Sequence, residues 1–385
     1  MSSIVEVFPT ITKTTILEIP MRQPLLGRIR SFGGRVAREA IAHYQSKTMA
    51  GSPTVAILLN GRYGSNLLRG MQVAEELRGI GWRAVIVPGN LRLDQRSRVL
   101  RSLAPDVLII KGSRHALNRR ELFDGYPYVV DLDDADFYDP AHTEVLADLA
   151  RGSSGFIAGS RFIKDWATQF CDDAEIIWTG TRPSVSNHTS HIEREPILTW
   201  AQLEPVAYGF ERAFVTEVLD RVLEHLPRLR LRLYGRKPGE DVSALTGLLR
   251  PEIDLEWRPL MPYDDFLRSL RETAIGLSPV IIENDFSRGK SFGKVLGYLD
   301  AKVPVICSDE VDHGLFFRPE TGIVSNDPNV WADGIVSLLS DPVRRQVMAD
   351  AAYEDFLRQL SNRAAVSRTA DYLHHVIAKS YVCMH

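Results

Sequence analysis

Residues 284–309 read Asn-Asp-Phe-Ser-Arg-Gly-Lys-Ser-Phe-Gly-Lys-Val-Leu-Gly-Tyr-Leu-Asp-Ala-Lys-Val-Pro-Val-Ile-Cys-Ser-Asp. The polar opening predicts a loop, Ser291–Asp300 a helix and the apolar run Val303–Cys307 a buried strand. Cations gather where that helix begins. Free amide N–H groups and the positive end of the helix dipole suit an anion there, and Arg288, Lys290, Ser291 and Lys294 add charge and a hydroxyl.

Outward from this unit, short apolar runs alternate with amphipathic stretches, the pattern of parallel sheets covered by helices. Thr54–Leu59, Ala84–Val87, Val107–Ile110, Tyr128–Leu132, Gly155–Ala158 and Glu175–Trp178 predict one sheet. Ile197–Trp200, Leu229–Tyr234, Ile253–Trp257, Ile275–Leu277, Val303–Cys307 and Gly322–Val324 predict a second. Between the two series, residues 181–195 are polar and follow neither period, which marks a linker. The expectation is an α/β chain of two Rossmann-like, doubly wound domains facing a cleft. Residues 1–50 form an N-terminal extension, 51–182 the first domain, 183–195 the linker, 196–360 the second domain and 361–385 a C-terminal helix. In open sheets of this kind ligands sit beyond the carboxyl ends of the strands, so the loops there are the candidate site.

At 385 residues the chain is long enough for two separate cores. A net charge of −3 argues against a nonspecific nucleic-acid partner. No apolar run approaches the ~20 residues of a membrane span. Three widely spaced cysteines and an N-terminus without a signal-like apolar stretch predict a cytoplasmic setting. A helix over Gly33–Gln45 either docks on the body or meets the inner face of a membrane as a peripheral contact.

Four loops carry candidate chemistry. The glycines Gly61 and Gly64, between a strand and a helix, allow close backbone approach to a ligand, although the dinucleotide spacing GxGxxG is absent. After the third strand come Arg114 and His115, the latter suited to proton transfer or acceptor contact, with a surface or capping role as the plainer reading. After the fourth, Asp131, Asp133, Asp134 and Asp136 suit recognition of hydroxyls, capping of a turn, or a hard cation. Arg236 and Lys237 close a strand of the second domain and stand either near a nucleotide or in solvent.

The order Lys-Ser-x-x-Lys-x-Leu-x-Tyr, five residues, Pro-Val-Ile-x-Ser-Asp over 290–309 resembles the donor-site helix and following strand of family 4 glycosyltransferases, enzymes of GT-B fold. The resemblance implies sugar transfer from a nucleotide diphosphate sugar to the hydroxyl of a glycan or other acceptor, with retention, no required metal or other cofactor, and a place in glycan or polysaccharide biosynthesis. It implies Gly61, Gly64, Arg236, Lys237, Lys290, Ser291 and Lys294 on the donor, and Arg114, His115, Asp133 and Asp134 on the acceptor. His115, Asp133 and Lys290 are the residues expected nearest the chemistry. In the resembled family the terminal helix crosses back to the first domain. A metal-dependent GT-A enzyme is a single sheet domain, so the resemblance also speaks against metal at the aspartates.

This chain departs from the family in two places. Aligned on Leu296-x-Tyr298, the two glutamates that the family carries eight residues apart fall on Gly289 and Gly297. The arginine and lysine that many members carry after the first strand of the second domain are replaced by Ala201-Gln202-Leu203-Glu204. These losses keep an alternative open, a catalytically impaired GT-B body that binds or scaffolds an active partner. A nucleotide-sugar epimerase is a weaker rival, because the second domain holds few histidines.

Overall fold

The computed structural model describes residues 25–61, 64–112, 115–184, 189–202, 205–236, 241–282, 285–290 and 292–383. The first sheet contains β1 (Thr54–Leu58), β2 (Arg83–Val87), β3 (Val107–Lys111), β4 (Tyr128–Leu132), β5 (Gly155–Ala158) and β6 (Ala174–Ile176). All pairs are parallel, in the order β2-β1-β3-β4-β5-β6. Strands β1, β3 and β4 are buried at every position, as unbroken apolar runs covered on both faces require. One core packs Ala56, Leu108 and Val130 on one face and another packs Val55, Ile57 and Ile109 on the other.

The second sheet contains β7 (Ile197–Trp200), β8 (Leu229–Arg236), β9 (Ile253–Pro259), β10 (Ile275–Ser278), β11 (Val305–Cys307) and β12 (Gly322–Val324). It is again parallel, in the order β12-β11-β10-β7-β8-β9. The order reverses between β1 and β3 in one sheet and between β7 and β10 in the other. Crevices open at such reversals, beyond the carboxyl ends of the strands.

The long helix Asn362–Cys383 leaves the second domain and lays Val366, Leu373 and Val376 in the same core as Val55 and Ile57 of β1. Its Tyr372 hydroxyl accepts from the Phe156 N–H at 2.9 Å and donates to the Asp173 carbonyl at 2.7 Å. The helix Leu25–Thr48 docks on the first domain, where Ala42 is buried and Glu39 accepts from Gln95 at 2.7 Å and from Arg98 at 2.8 Å. Among the described residues no helix is long and apolar enough to cross a membrane.

Several boundaries differ from the sequence reading. The helix expected from Ser291 starts at Gly293. Strand β11 starts at Val305 because Lys302, at φ 51°, ends the helix in a left-handed turn. The first sheet's last strand stops at Ile176, and Trp178 turns instead to the second domain. After β1 the chain enters a π-helical turn, Leu67–Met71, before the α-helix Gln72–Gly79.

Candidate active site

The two domains meet around Asp312, a residue at φ 67° after β11. Its carboxylate accepts from the Arg161 backbone N–H at 3.0 Å, the Arg161 guanidinium at 2.8 Å and the Trp178 indole at 3.0 Å. Trp178 also lies 4.8 Å, centre to centre, from the ring of Phe292 beside the donor-type helix. Closer to the cleft, Gly289 abuts Ala135 so tightly that any side chain at 289 would collide with it. The loop before the helix Gly293–Asp300 thus touches the acidic turn of the first domain.

On the second-domain side, Lys290 and Lys294 converge on the loop after β7. Each Nζ lies 4.9 Å from the centre of the Tyr208 ring, and Lys294 donates to Gln202. Glu211, buried in the first turn of the helix Gly209–Leu223, lies 3.7 Å from the Lys290 Nζ. Burial, reinforced by the charge of Lys290, lowers the Lys294 pKa to about 8, while Glu211 and Asp134 oppose the shift. Beneath them Tyr298 fixes the reversal point of the sheet. Its buried hydroxyl accepts from the Ala201 N–H at 2.7 Å and donates to the Thr199 carbonyl at 2.8 Å, with the Leu277 carbonyl 3.2 Å away.

The Gly297 position needs correcting. A Cβ there would lie 2.9 Å from Leu270 and 3.1 Å from Phe266, so this face of the helix packs on the helix Tyr263–Leu270. A glutamate at 297 would enter that apolar contact rather than the cleft. Glycine at 297 thus fits the packing of this helix face.

On the first-domain side, β3 and β4 end in a charged cluster. The Lys111 ammonium lies 3.0 Å from Asp131 and 3.3 Å from Asp133, and Arg69, turned inward by the π-helical turn, donates to Asp131 at 2.8 Å. Burial opposes ionisation of Asp133, but the charges of Lys111 and Arg69 outweigh it and hold the carboxyl below its ordinary pKa. Asp133 is therefore a weak base. Together with Asn60, Ser65, Asn66, Gly112 and Asp134, Lys111 and Asp133 line a cavity of about 110 Å³. Gly64, at φ 57°, leads into the π-helical turn that follows it by accepting from the Leu67 N–H at 3.0 Å, while Gly61 lies beside Asn66.

His115 stands differently from the sequence expectation of a proton shuttle. Its Nδ1 accepts from the Leu117 N–H at 3.0 Å, which leaves Nε2 as the protonated nitrogen donating to the Gly89 carbonyl. Burial, with help from Arg96, pushes its pKa down and keeps the ring neutral. It pins the loop after β3 to the loop after β2. Arg114, Lys237, Ser291 and the side chain of Arg236 lie outside the described residues. Among the described residues no cluster of histidine, cysteine and carboxylate side chains forms a metal site.

The sequence reading missed Arg69, Gln202, Tyr208, Glu211 and Tyr298. A basic residue in a helix otherwise set to pack, as at Arg69, was the available signal for one of them.

Residues 212–371 match the family described as glycosyl transferase-like. No curated protein matches the chain in sequence. Among solved structures, a glycosyltransferase from Rickettsia africae superposes with a TM-score of 0.62 at 14% identity, covering 84% of this chain and 98% of its own. Sucrose-phosphate synthase from Thermosynechococcus elongatus gives 0.61 at 12% identity over 85% of this chain and 100% of its own. Anabaena HepE, in complex with UDP and glucose, gives 0.59 at 13% identity over 84% and 100%. Two facing Rossmann-like domains with these likenesses are the GT-B fold, and within it residues 212–371 carry the match to the glycosyl transferase-like family.

Proposed function

We propose that the protein transfers a sugar from a nucleoside diphosphate sugar to the hydroxyl of a glycan or similar acceptor, with retention and without a required metal. The observation that carries this is the pair Lys290 and Lys294 gathered over Tyr208 at the sheet reversal. Where the resembled family carries cations after β7, this chain has Ala201 and Gln202, and Lys290 and Lys294, from the facing loop and helix, approach Tyr208. The two ammonium groups and the start of the helix Gly293–Asp300 stabilise a diphosphate as negative charge builds on its leaving oxygen.

Neither Asp133 nor His115 is a free base. Asp133 is committed to Lys111, and both nitrogens of His115 are engaged. The acceptor proton therefore passes to the leaving phosphate oxygen on the same face of the sugar, and the anomeric configuration is kept. Asp133 and Asp134 orient the acceptor by accepting from its hydroxyls, and His115 holds the neighbouring loop after β3 in register. The HepE complex makes uridine donors the first to try. Release of nucleoside diphosphate from a panel of nucleotide sugars, with and without simple glycoside acceptors, tests the reading. The rival of a GT-B body without turnover drew on Gly297, a position on the helix face that packs against Leu270.

A further inference from the structure

Beside the cleft, a groove of about 540 Å³ runs between the helix Leu25–Thr48 and the carboxyl ends of β1 and β2. That volume is in the range of small-molecule sites. Ile41, Ala42, Leu59, Met71, Ile86 and Pro88 give it an aliphatic lining. Its polar side chains among the described residues are three amides, Gln45, Asn60 and Asn90, and one guanidinium, Arg38, with no aromatic ring. Such a wall gains free energy by covering hydrocarbon and offers few partners to a chain of hydroxyls.

The inner end of the groove is Asn60, which also lines the cavity of Lys111, Asp133 and Asp134. The two spaces adjoin at that side chain. A molecule whose hydroxyl lies against Asp133 has the groove as a continuation. The helix forming the outer wall also leaves apolar groups uncovered: Ile41 is 55% exposed and Tyr44 68%, although Ala42 on the same turn is buried. A helix that served only to cap the domain would hide these side chains.

We infer that the groove holds the hydrocarbon chain of an amphiphilic acceptor, saturated or isoprenoid, whose sugar or hydroxyl end enters the cavity at Asp133. This rests on the transferase reading above, and it adds the chemical class of the acceptor. The chain supplies binding free energy through buried methylenes, while the polar end supplies orientation.

The test is calorimetry with n-alkyl β-D-glucosides of one to twelve carbons, each kept below its micelle concentration, together with UDP binding as a separate readout. Affinity rises roughly fourfold per added methylene until the groove is filled. Ile41→Glu, on the exposed face of the helix, flattens that dependence. Val343→Glu, the same change at a 60% exposed site on the second domain, leaves it as in the wild type. UDP binding with no dependence on chain length overturns the hydrocarbon assignment and leaves the transferase reading standing, whereas absent UDP binding counts against the transferase reading itself. Two other results also overturn the proposal: binding to phospholipid vesicles without binding of monomeric glucosides, and chain-length dependence that appears only after residues 1–24 are removed. The first would make the groove a membrane-facing surface and the second the seat of this chain's own N-terminus.

Discussion

Lys290 and Lys294 hold both ammonium groups over one ring, each Nζ 4.9 Å from the centre of Tyr208. Two like charges so close are costly without an anion, and Glu211, 3.7 Å from Lys290, supplies part of the compensation. On the proposed reading a diphosphate supplies the rest.

That pairing gives donor binding a pH dependence with a definite sign. The free Lys294 has a pKa near about 8, lowered first by burial and then by Lys290. A diphosphate favours the charged lysine, so above that pH binding must take up a proton. UDP affinity is therefore full below about pH 8 and falls as the pH rises through it, by up to ~10-fold per unit. Lys294→Arg, which stays charged, removes the fall. An affinity flat from pH 7 to 9 in the wild type would separate Lys294 from the phosphate.

Tyr298→Phe strips a buried hydroxyl from the Ala201 N–H and the Thr199 carbonyl. Leaving those groups unpaired costs about 1–3 kcal/mol of stability. Because Ala201 leads into Gln202, UDP affinity also falls, by roughly threefold to tenfold on the same scale of lost hydrogen bonding. Denaturant unfolding and calorimetry read the two effects separately. A stability loss with unchanged UDP affinity would make Tyr298 a fold residue alone.

Much of this architecture is legible in the sequence because strands buried on both faces need unbroken apolar runs, and Val55–Leu58 and Val107–Ile110 have them. Lys290 and Lys294 are legible for a similar reason, since cations at a helix start have a local meaning. Their partners are not. Gln202 and Tyr208 reach Lys294 from 92 and 86 positions away, and Arg69 meets Asp131 across 62, so no local pattern announces either contact. The helix rotation at Gly297 fails in the same way, because the face it presents is decided by Leu270 and Phe266 on another helix. Trp178 reads as strand from its apolar neighbours, but its indole leaves the sheet to reach Asp312.

Asp312 ties both domains through Arg161 and Trp178, so Asp312→Ala loosens their register. Thermal unfolding should show a loss of about 1–3 kcal/mol. Asp312→Asn, which tolerates φ 67° and keeps one acceptor oxygen, should recover part of it. Equal losses in the two variants would mean the hydrogen bonds are not what holds the interface.

Transfer should persist in excess EDTA. Asp131 is engaged by Arg69 and Lys111, and Asp133 by Lys111, so the acidic turn has little free carboxylate to offer a cation. Loss of transfer that Mg²⁺ or Mn²⁺ restores would assign the aspartates to a metal.

The most direct measurement is calorimetry of UDP on the wild type, Lys290→Ala and Lys302→Ala. Lys302 is the control, since it pairs with Asp350 at 2.7 Å at the far end of the same helix and its loss costs at most about 1 kcal/mol of stability. A charge-assisted hydrogen bond to phosphate is worth roughly 1.5–3 kcal/mol, so Lys290→Ala should weaken UDP about tenfold to a hundredfold while Lys302→Ala leaves it unchanged. Equal UDP affinity in the wild type and Lys290→Ala would contradict the assignment of the diphosphate to this lysine pair.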